Sequence, residues 1–305
     1  MRITSAIQYG AMQENIAQAT AQMYKYQQQV SSGKALSAAT DDPVAYARVT
    51  QLKQSTTQQE QYSQTIRTVQ TSMQSYESNL QNVTRLMNQA RSLGLQAAND
   101  TIDAQARTQI ASQIDSLVSQ ALQAANANSD GHFIYGGSKD QASPYTAVTD
   151  ATGKVTGVTY NGDARVASAD VGGGAKVKTG VSGADVFGVT PGDPNSVIGS
   201  LIALRDQITS GKAQSISDSI QGIDNAMQSV SGTRAQVGVR MQHLGALAQV
   251  NQETLTAIKG EQSSLEDTNL PDAMTNLMRM QTTYQAALTV AAKASQQTSL
   301  LSKLQ

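Results

Sequence analysis

Between residues 62 and 97 apolar positions recur in unbroken alternating steps of four and three: Tyr62, Ile66, Val69, Met73, Tyr76, Leu80, Val83, Met87, Ala90, Gly94 and Ala97. That period keeps every one of them on a single stripe of one long helix, which is the geometry of a coiled-coil seam. A stripe of this length stays exposed unless another helix of similar length covers it. The chain carries such a partner in Ile216, Ile220, Ile223, Met227, Val230, Arg234, Val237, Met241, Leu244, Ala248, Asn251, Leu255, Ile258, Gln262 and Leu265. A shorter third helix follows the break "NDTIDA" with Ile110, Ile114, Leu117, Ala121 and Ala124, and another carries Val197, Leu201, Leu204 and Ile208. The predicted fold is mainly α, a long antiparallel helical bundle of coiled-coil character.

The residues available for a core agree with thin seams. In 305 residues there is no Trp, and only two Phe. The absence of Cys removes disulfide scaffolds, thiolate metal sites and cysteine nucleophiles. A net charge of −1 gives no electrostatic handle for nucleic acid or an anionic membrane, so neither is expected as a partner. No run reaches the ~18 apolar residues of a membrane span. The opening "MRITSAIQYGAMQENIAQ" lacks the apolar core of about 7–15 residues that marks a cleavable leader. Alone, that predicts a cytoplasmic protein unless export takes another route.

From about 138 to 195 the helical period disappears. Glycine becomes frequent, and β-branched runs appear in "KVTGVTY", "ARVASADV" and "AKVKTGV". Upstream, Asp130-Gly131 reads as a turn and "HFIY" as a short strand. Asn161-Gly162 suits the two positive φ angles of a type I′ turn and predicts a hairpin there. We expect a small β-rich insertion at the far end of the bundle, connecting its two halves. Three parts result: 1–42 with 270–305, 43–137 with 196–269, and 138–195.

The stretch "SSGKALSAATDDPVAYARV" separates the first helix from the second. Gly33 is placed to end the first helix at about Ser32, since glycine enters the left-handed conformation without a Cβ penalty. Pro43 suits a first helical position, and the residue before it is pushed away from helical geometry. Asp42 then reads as the N-cap, with Asp41 adding negative charge near the positive helix end. A catalytic carboxylate pair would need a pocket and a partner that raises one pKa, and nothing adjacent supplies either. Asp272 after Pro271, and the Glu266-Asp267 pair, read as the same punctuation. His132 and His243 have no second ligand at helical spacing, so no zinc site is expected. "GGGAK" and "SGKAL" lack the spacing of a phosphate loop, and no G-x-S-x-G elbow occurs. No active site and no cofactor is predicted.

The two ends carry the strongest functional expectation. The first helix presents Tyr9, Met12, Ile16, Ala19, Met23, Tyr26 and Val30, and the last presents Leu277, Met280, Tyr284, Ala287, Ala291, Ala294, Thr298 and Leu301. Fixing each residue costs about 1–2 kcal/mol of backbone entropy. A seam this rich in Ala and Thr has little apolar area to offset that. Pairing the two ends still leaves Leu288, Val290, Leu300 and Leu304 on other faces. The ends are therefore expected to be mobile in the monomer and to order when copies assemble.

"MRIT", "QQQVSSGKALSAATDDPVAYARV" and "SSLEDTNLPDAMTNLMRMQTTYQAALTVAAKASQQTSLLSKL" resemble the two ends of the flagellin superfamily. "DGHFIYGGSKDQASPY", "VTYNGD", "GVSGADVFG" and "RAQVGVRMQHL" resemble internal stretches of its hook-filament junction branch, and Pro43 with the "MRI" start favours that branch. The resemblance implies a secreted, non-catalytic structural subunit, exported unfolded through the flagellar type III apparatus. It implies a terminal-helix inner tube built on Met12, Ile16, Met23, Val30, Leu277, Met280, Tyr284, Leu288 and Leu301, linked through Gly33, Asp41, Asp42 and Pro43. The bundle would surround that tube and the insertion would face outward. Implied partners are like subunits, the preceding hook-associated protein, flagellin, and an export chaperone at the C-terminal region. The alternatives are a filament-forming flagellin, and a secreted adhesin or hydrolase with its site on the insertion.

Overall fold

A computed structural model describes residues 2–99, 101–129, 131–189 and 193–303. Side chains are described except at residues 2–6, 8, 9 and from 294 onward. The helices are α1 (Arg2–Ser32), α2 (Pro43–Ala97), α3 (Ala104–Ala125), α4 (Gly183–Phe187), α5 (Val197–Ser210), α6 (Ala213–Glu266) and α7 (Leu270–Lys303). Among the described residues no helix is long and apolar enough to cross a membrane. The chain divides into two units, Met1–Gln59 with Glu253–Gln305, and Glu60–Gln252. The long helices α2 and α6 contribute to both.

In the second unit the predicted seams are the core. Ile66, Val69, Met73, Tyr76, Leu80, Val83, Met87, Ala90 and Ala97 of α2 are all buried, as are Ile216, Ile220, Ile223, Val230, Val237 and Leu244 of α6. Cross-links fix their direction: Arg91 pairs with Asp224 at 2.7 Å, Glu77 with Arg234, and Asn251 donates to Ser63 Oγ at 2.7 Å. Residue numbers fall on one helix as they rise on the other, so the pair is antiparallel. α3 turns back at an N-cap where Asp103 accepts from the Ala106 amide at 2.7 Å. It returns along α2 until Asn79 Nδ2 donates to the Ala124 carbonyl at 3.2 Å. α5 lies against α3, and Arg205 joins Asp115 at 2.6 Å.

Among the described residues the strands form three separate antiparallel ribbons: β1 (Asn128–Ser129) with β2 (His132–Phe133), β3 (Tyr145–Thr149) with β4 (Val155–Tyr160), and β5 (Ser168–Asp170) with β6 (Lys176–Lys178). "HFIY" is thus a strand over its first two residues only, while Asp130 lies outside the described residues. The hairpin expected at Asn161-Gly162 is not there. β3 pairs with β4 through a turn in which Asp150 Oδ1 accepts from the Thr152 and Lys154 amides at 2.8 and 3.0 Å, with Gly153 at φ 83°. Asn161 instead extends the ribbon, its amide donating to the Pro144 carbonyl at 2.8 Å and its side chain to Thr146 Oγ1 at 2.8 Å. Asp163, accepting from the Ser138 amide at 2.7 Å, ties the next residues to a different loop and prevents the reversal.

The insertion also sits elsewhere than expected. Because α3 has already carried the chain back to the level of Asn79, the β residues lie along the flank of the helices and not at their far end. Tyr76 donates to the Ile134 carbonyl, and Arg240 of α6 donates to the Gly180 carbonyl at 2.7 Å. Tyr76, Tyr135, Phe187 and Tyr145 form a chain of edge-to-face contacts with centroids 5.1–5.6 Å apart. Their hydroxyls are satisfied: Tyr135 donates to Asn79 Oδ1 at 2.9 Å, and Tyr145 to the Gly188 carbonyl at 2.9 Å. Burial pushes these phenols above their ordinary pKa, as befits structural tyrosines.

Candidate functional site: the terminal helix pair and its linkers

In the first unit α1 packs against α7. The end of α1 and the start of α7 meet at one place, so the two helices run side by side in opposite directions. Met12, Ile16, Met23, Tyr26 and Val30 of α1 are half-buried, as are Leu277, Met280, Tyr284, Ala287 and Ala291 of α7. Fully buried apolar residues are scarce: among the described residues Ala19 is the one on α1 and Ala273 the one on α7. Leu288 and Val290 face solvent, joined by Tyr24, Met274 and Met278. The side chains of Tyr9, Ala294, Thr298, Leu300, Leu301 and Leu304 lie outside the described residues.

The linkers carry more hydrogen bonds than the capping pattern alone implies. α1 ends at Ser32, and Gly33 adopts φ 70°, its amide donating to the Gln29 carbonyl at 2.9 Å. α2 starts at Pro43, and Asp42 Oδ1 accepts from the Val44 and Ala45 amides at 2.9 and 3.0 Å. Asp41 differs from expectation. Its carboxylate turns back onto the linker, where the Ser37 and Ala38 amides donate at 3.2 Å and Lys25 of α1 pairs at 3.2 Å. Those bonds, led by the Ser37 amide, hold its pKa below the ordinary carboxylate value.

Glu266 overturns its reading as punctuation. It is the last residue of α6 and is 4% exposed. Lys34 of the first linker donates to Oε1 at 2.6 Å, Lys53 of α2 at 2.9 Å, and Gln262 donates to Oε2 at 2.8 Å. Burial alone would raise this carboxyl, but the Lys34, Lys53 and Gln262 bonds outweigh it and hold the pKa at about 2. The backbone repeats the tie. The Ala35 and Leu36 amides donate to the Glu266 carbonyl at 2.8 and 3.3 Å, the Thr268 amide donates to the Gly33 carbonyl at 2.9 Å, and Lys34 bridges Asp267. Leu36, Val49, Leu52 and Leu255 are buried in the same unit. Local reading misses this site because its charges come from segments more than two hundred residues apart. A carboxylate directly after the apolar residue Leu265, at the end of a seam, was the available clue.

Arg205 was missed in the same way. It is 1% exposed, paired with Asp115 at 2.6 Å and Asp206 at 2.9 Å, and donates to the Val155 carbonyl at 2.7 Å. Its place four residues after Leu201, on the apolar face of α5, betrays it. Asp272 lies in the first turn of α7, as the punctuation reading requires. His132 is exposed beside Asp140 at 2.8 Å, and His243 is exposed on α6. Among the described residues no three His, Cys, Asp or Glu side chains converge to hold a metal.

An antiparallel pair of terminal helices with tied linkers, and a long antiparallel helix bundle carrying small β ribbons, define a mainly helical architecture. Two family models place the chain further. The bacterial flagellin N-terminal helical region matches residues 3–140, and the bacterial flagellin C-terminal helical region matches residues 220–304. Together they cover well over half of the sequence, and the chain belongs to the flagellin family. It is 24% identical over 310 aligned positions to flagellar hook-associated protein 3 of Salmonella typhimurium, covering 94% of this chain and 95% of that protein. The same protein of Escherichia coli matches at 24% identity over the same shares. The crystal structure of flagellar hook-associated protein 3 from Legionella pneumophila superposes with a TM-score of 0.62, at 14% identity, over 71% of this chain and 98% of that one.

Proposed function

We propose that this chain is a non-catalytic structural subunit of the bacterial flagellum that forms the layer between hook and filament. The observation that carries the reading is the α1–α7 pair. Among the described residues it fully buries one alanine on each helix and half-buries the rest of the facing stripe, while Tyr24, Met278, Leu288 and Val290 remain exposed. Such a pair gains most of its apolar burial from neighbours, and like subunits with the same exposed faces are suitable neighbours. Met12, Ile16, Met23, Val30, Leu277, Met280, Tyr284, Leu288 and Leu301 are the assembly positions in this reading, with residues 1–42 and 270–305 forming the inner tube. Residues 43–137 with 196–269 surround it, and 138–195 face outward. The likeness to hook-associated protein 3 over nearly the whole length supports the junction over the filament itself. The subunit is secreted unfolded, and its partners are its own copies, the preceding hook-associated protein, flagellin, and an export chaperone at the C-terminal region.

Removing the protein from its own cell is the test. Expected are hooks without filaments and flagellin released into the medium, both reversed by restoring the chain, with antibody labelling a single band at the filament base. Filaments of normal length in its absence, or labelling along the whole filament, would overturn the junction. Deleting residues 140–190 is a poor test of an outer-surface activity, because it removes the buried Tyr145, Val177, Val181 and Phe187 and opens the helical core.

A further inference from the structure

We propose that the cluster of Lys34, Glu266 and Lys53 is a latch that joins the two ends of the chain, and that it must be closed for α1 and α7 to be presented together to other copies. The second half of this statement rests on the assembly reading above; the first half does not. Three segments remote in sequence converge on one buried carboxylate: the linker after α1, the first turns of α2, and the end of α6. Around it the backbone makes an antiparallel bridge between Lys34 and Asp267, and both flanking amides are used. Among the described residues the adjoining helix pair fully buries Ala19 and Ala273, and the rest of its facing stripe is half-buried. The bases of α1 and α7 are tied at one point by the latch and the fully buried apolar residues near it, Leu36, Val49, Leu52 and Leu255.

The charges account for why a carboxylate is placed there. An unpaired buried carboxylate is strongly unfavourable, so Glu266 is tolerated in that position only with its cations in place. Neither lysine is buried; each keeps about half of its surface in water, and Asp267 faces Lys34 from the other side of the bridge. Closing the latch thus costs little lysine desolvation. Opening it strands Glu266. The same register of the linkers that sets Lys34 beside Glu266 also pairs the Ala35 and Leu36 amides with the Glu266 carbonyl and the Thr268 amide with the Gly33 carbonyl.

The test uses the full chain and hydrogen exchange at the Ala35, Leu36 and Thr268 amides. In Glu266→Gln, which keeps the side-chain shape, these amides are expected to exchange at least tenfold faster, with α3 and α5 unchanged as the control for folding. Lys34→Gln, which leaves Lys53 on the carboxylate, should give an intermediate rate. The charge-exchanged chain, Lys34→Glu with Lys53→Glu and Glu266→Lys, should recover most of the protection. Unchanged exchange in Glu266→Gln overturns the latch. Faster exchange together with normal filament attachment in cells overturns its role in assembly. If the unaltered chain fails to restore filaments in cells lacking it, the junction reading falls, while the exchange rates still decide whether the latch exists.

Discussion

Glu266 and Arg205 are both buried charges, yet their partners give them different dependence on pH. Against its burial, the Lys34, Lys53 and Gln262 bonds hold the folded Glu266 carboxyl at about 2, below its ordinary value of 4.5. Its contribution is therefore complete above about 4.5 and is lost as pH falls through that interval toward about 2. The first unit should show an acid-unfolding limb in that window, read by circular dichroism and by exchange at residues 33–36, and Glu266→Gln should weaken it, leaving the part that Asp41 supplies. At neutral pH the same variant loses charge-assisted bonds worth on the order of 1.5–3 kcal/mol. Arg205 keeps its charge throughout. Arg205→Met removes the partner of Asp115 and of the Val155 carbonyl, while both aspartates retain some water. Urea unfolding should show a loss of about 3 kcal/mol, near the lower end for breaking a buried pair. Gly33, Asp42 and Pro43 were legible in sequence because capping chemistry acts within four residues. Glu266 and Arg205 were not, because Lys34, Lys53, Asp115 and the Val155 carbonyl, which hold them, lie on other elements.

Buried seam positions and outward positions on the helices should respond differently to truncation, and that contrast separates folding from assembly. Ile114 is fully buried on α3. Ile114→Ala should cost about 2–5 kcal/mol in urea unfolding. Met278, 62% exposed on α7, touches little in the isolated chain. Met278→Ala should change monomer stability by less than about 0.5 kcal/mol, yet reduce incorporation of the subunit into flagella. A loss of stability at Met278 as large as that at Ile114 would mean its face is already covered within the monomer. The seams were readable because a 3.5-residue period persists over ten turns and has no competing interpretation. The ribbons were readable as β but not in their pairing or their place. The loops beside the ribbons are tied to Tyr76, Asn79 and Arg240 on distant helices, through the Ile134 carbonyl, the Tyr135 hydroxyl and the Gly180 carbonyl, and Asp150 with Gly153 outcompetes the stronger local turn dipeptide at 161–162.

At the scale of the molecule the two units differ in how they are held. The unit of Glu60–Gln252 has a continuous apolar core with an aromatic cluster at its flank. In the unit of Met1–Gln59 with Glu253–Gln305, burial concentrates around the linkers, while α1 and α7 carry one buried alanine apiece among the described residues. Local opening free energy follows local burial and hydrogen bonding, so helix segments away from the linkers should open first. Limited proteolysis of the isolated chain is expected to cut within α1 and α7 before it cuts the linkers. The resistant product should retain residues 33–42 and 267–269 together with everything between them. In Glu266→Gln the first cuts should move into 33–42, because the Ala35, Leu36 and Thr268 bonds no longer hold that segment down. If the unaltered chain were instead cut first at 33–42, the linkers would be the weakest point of the isolated subunit. The α1–α7 pair would then have to be held by its own half-buried stripe, which is the opposite distribution of strength from the one these contacts describe.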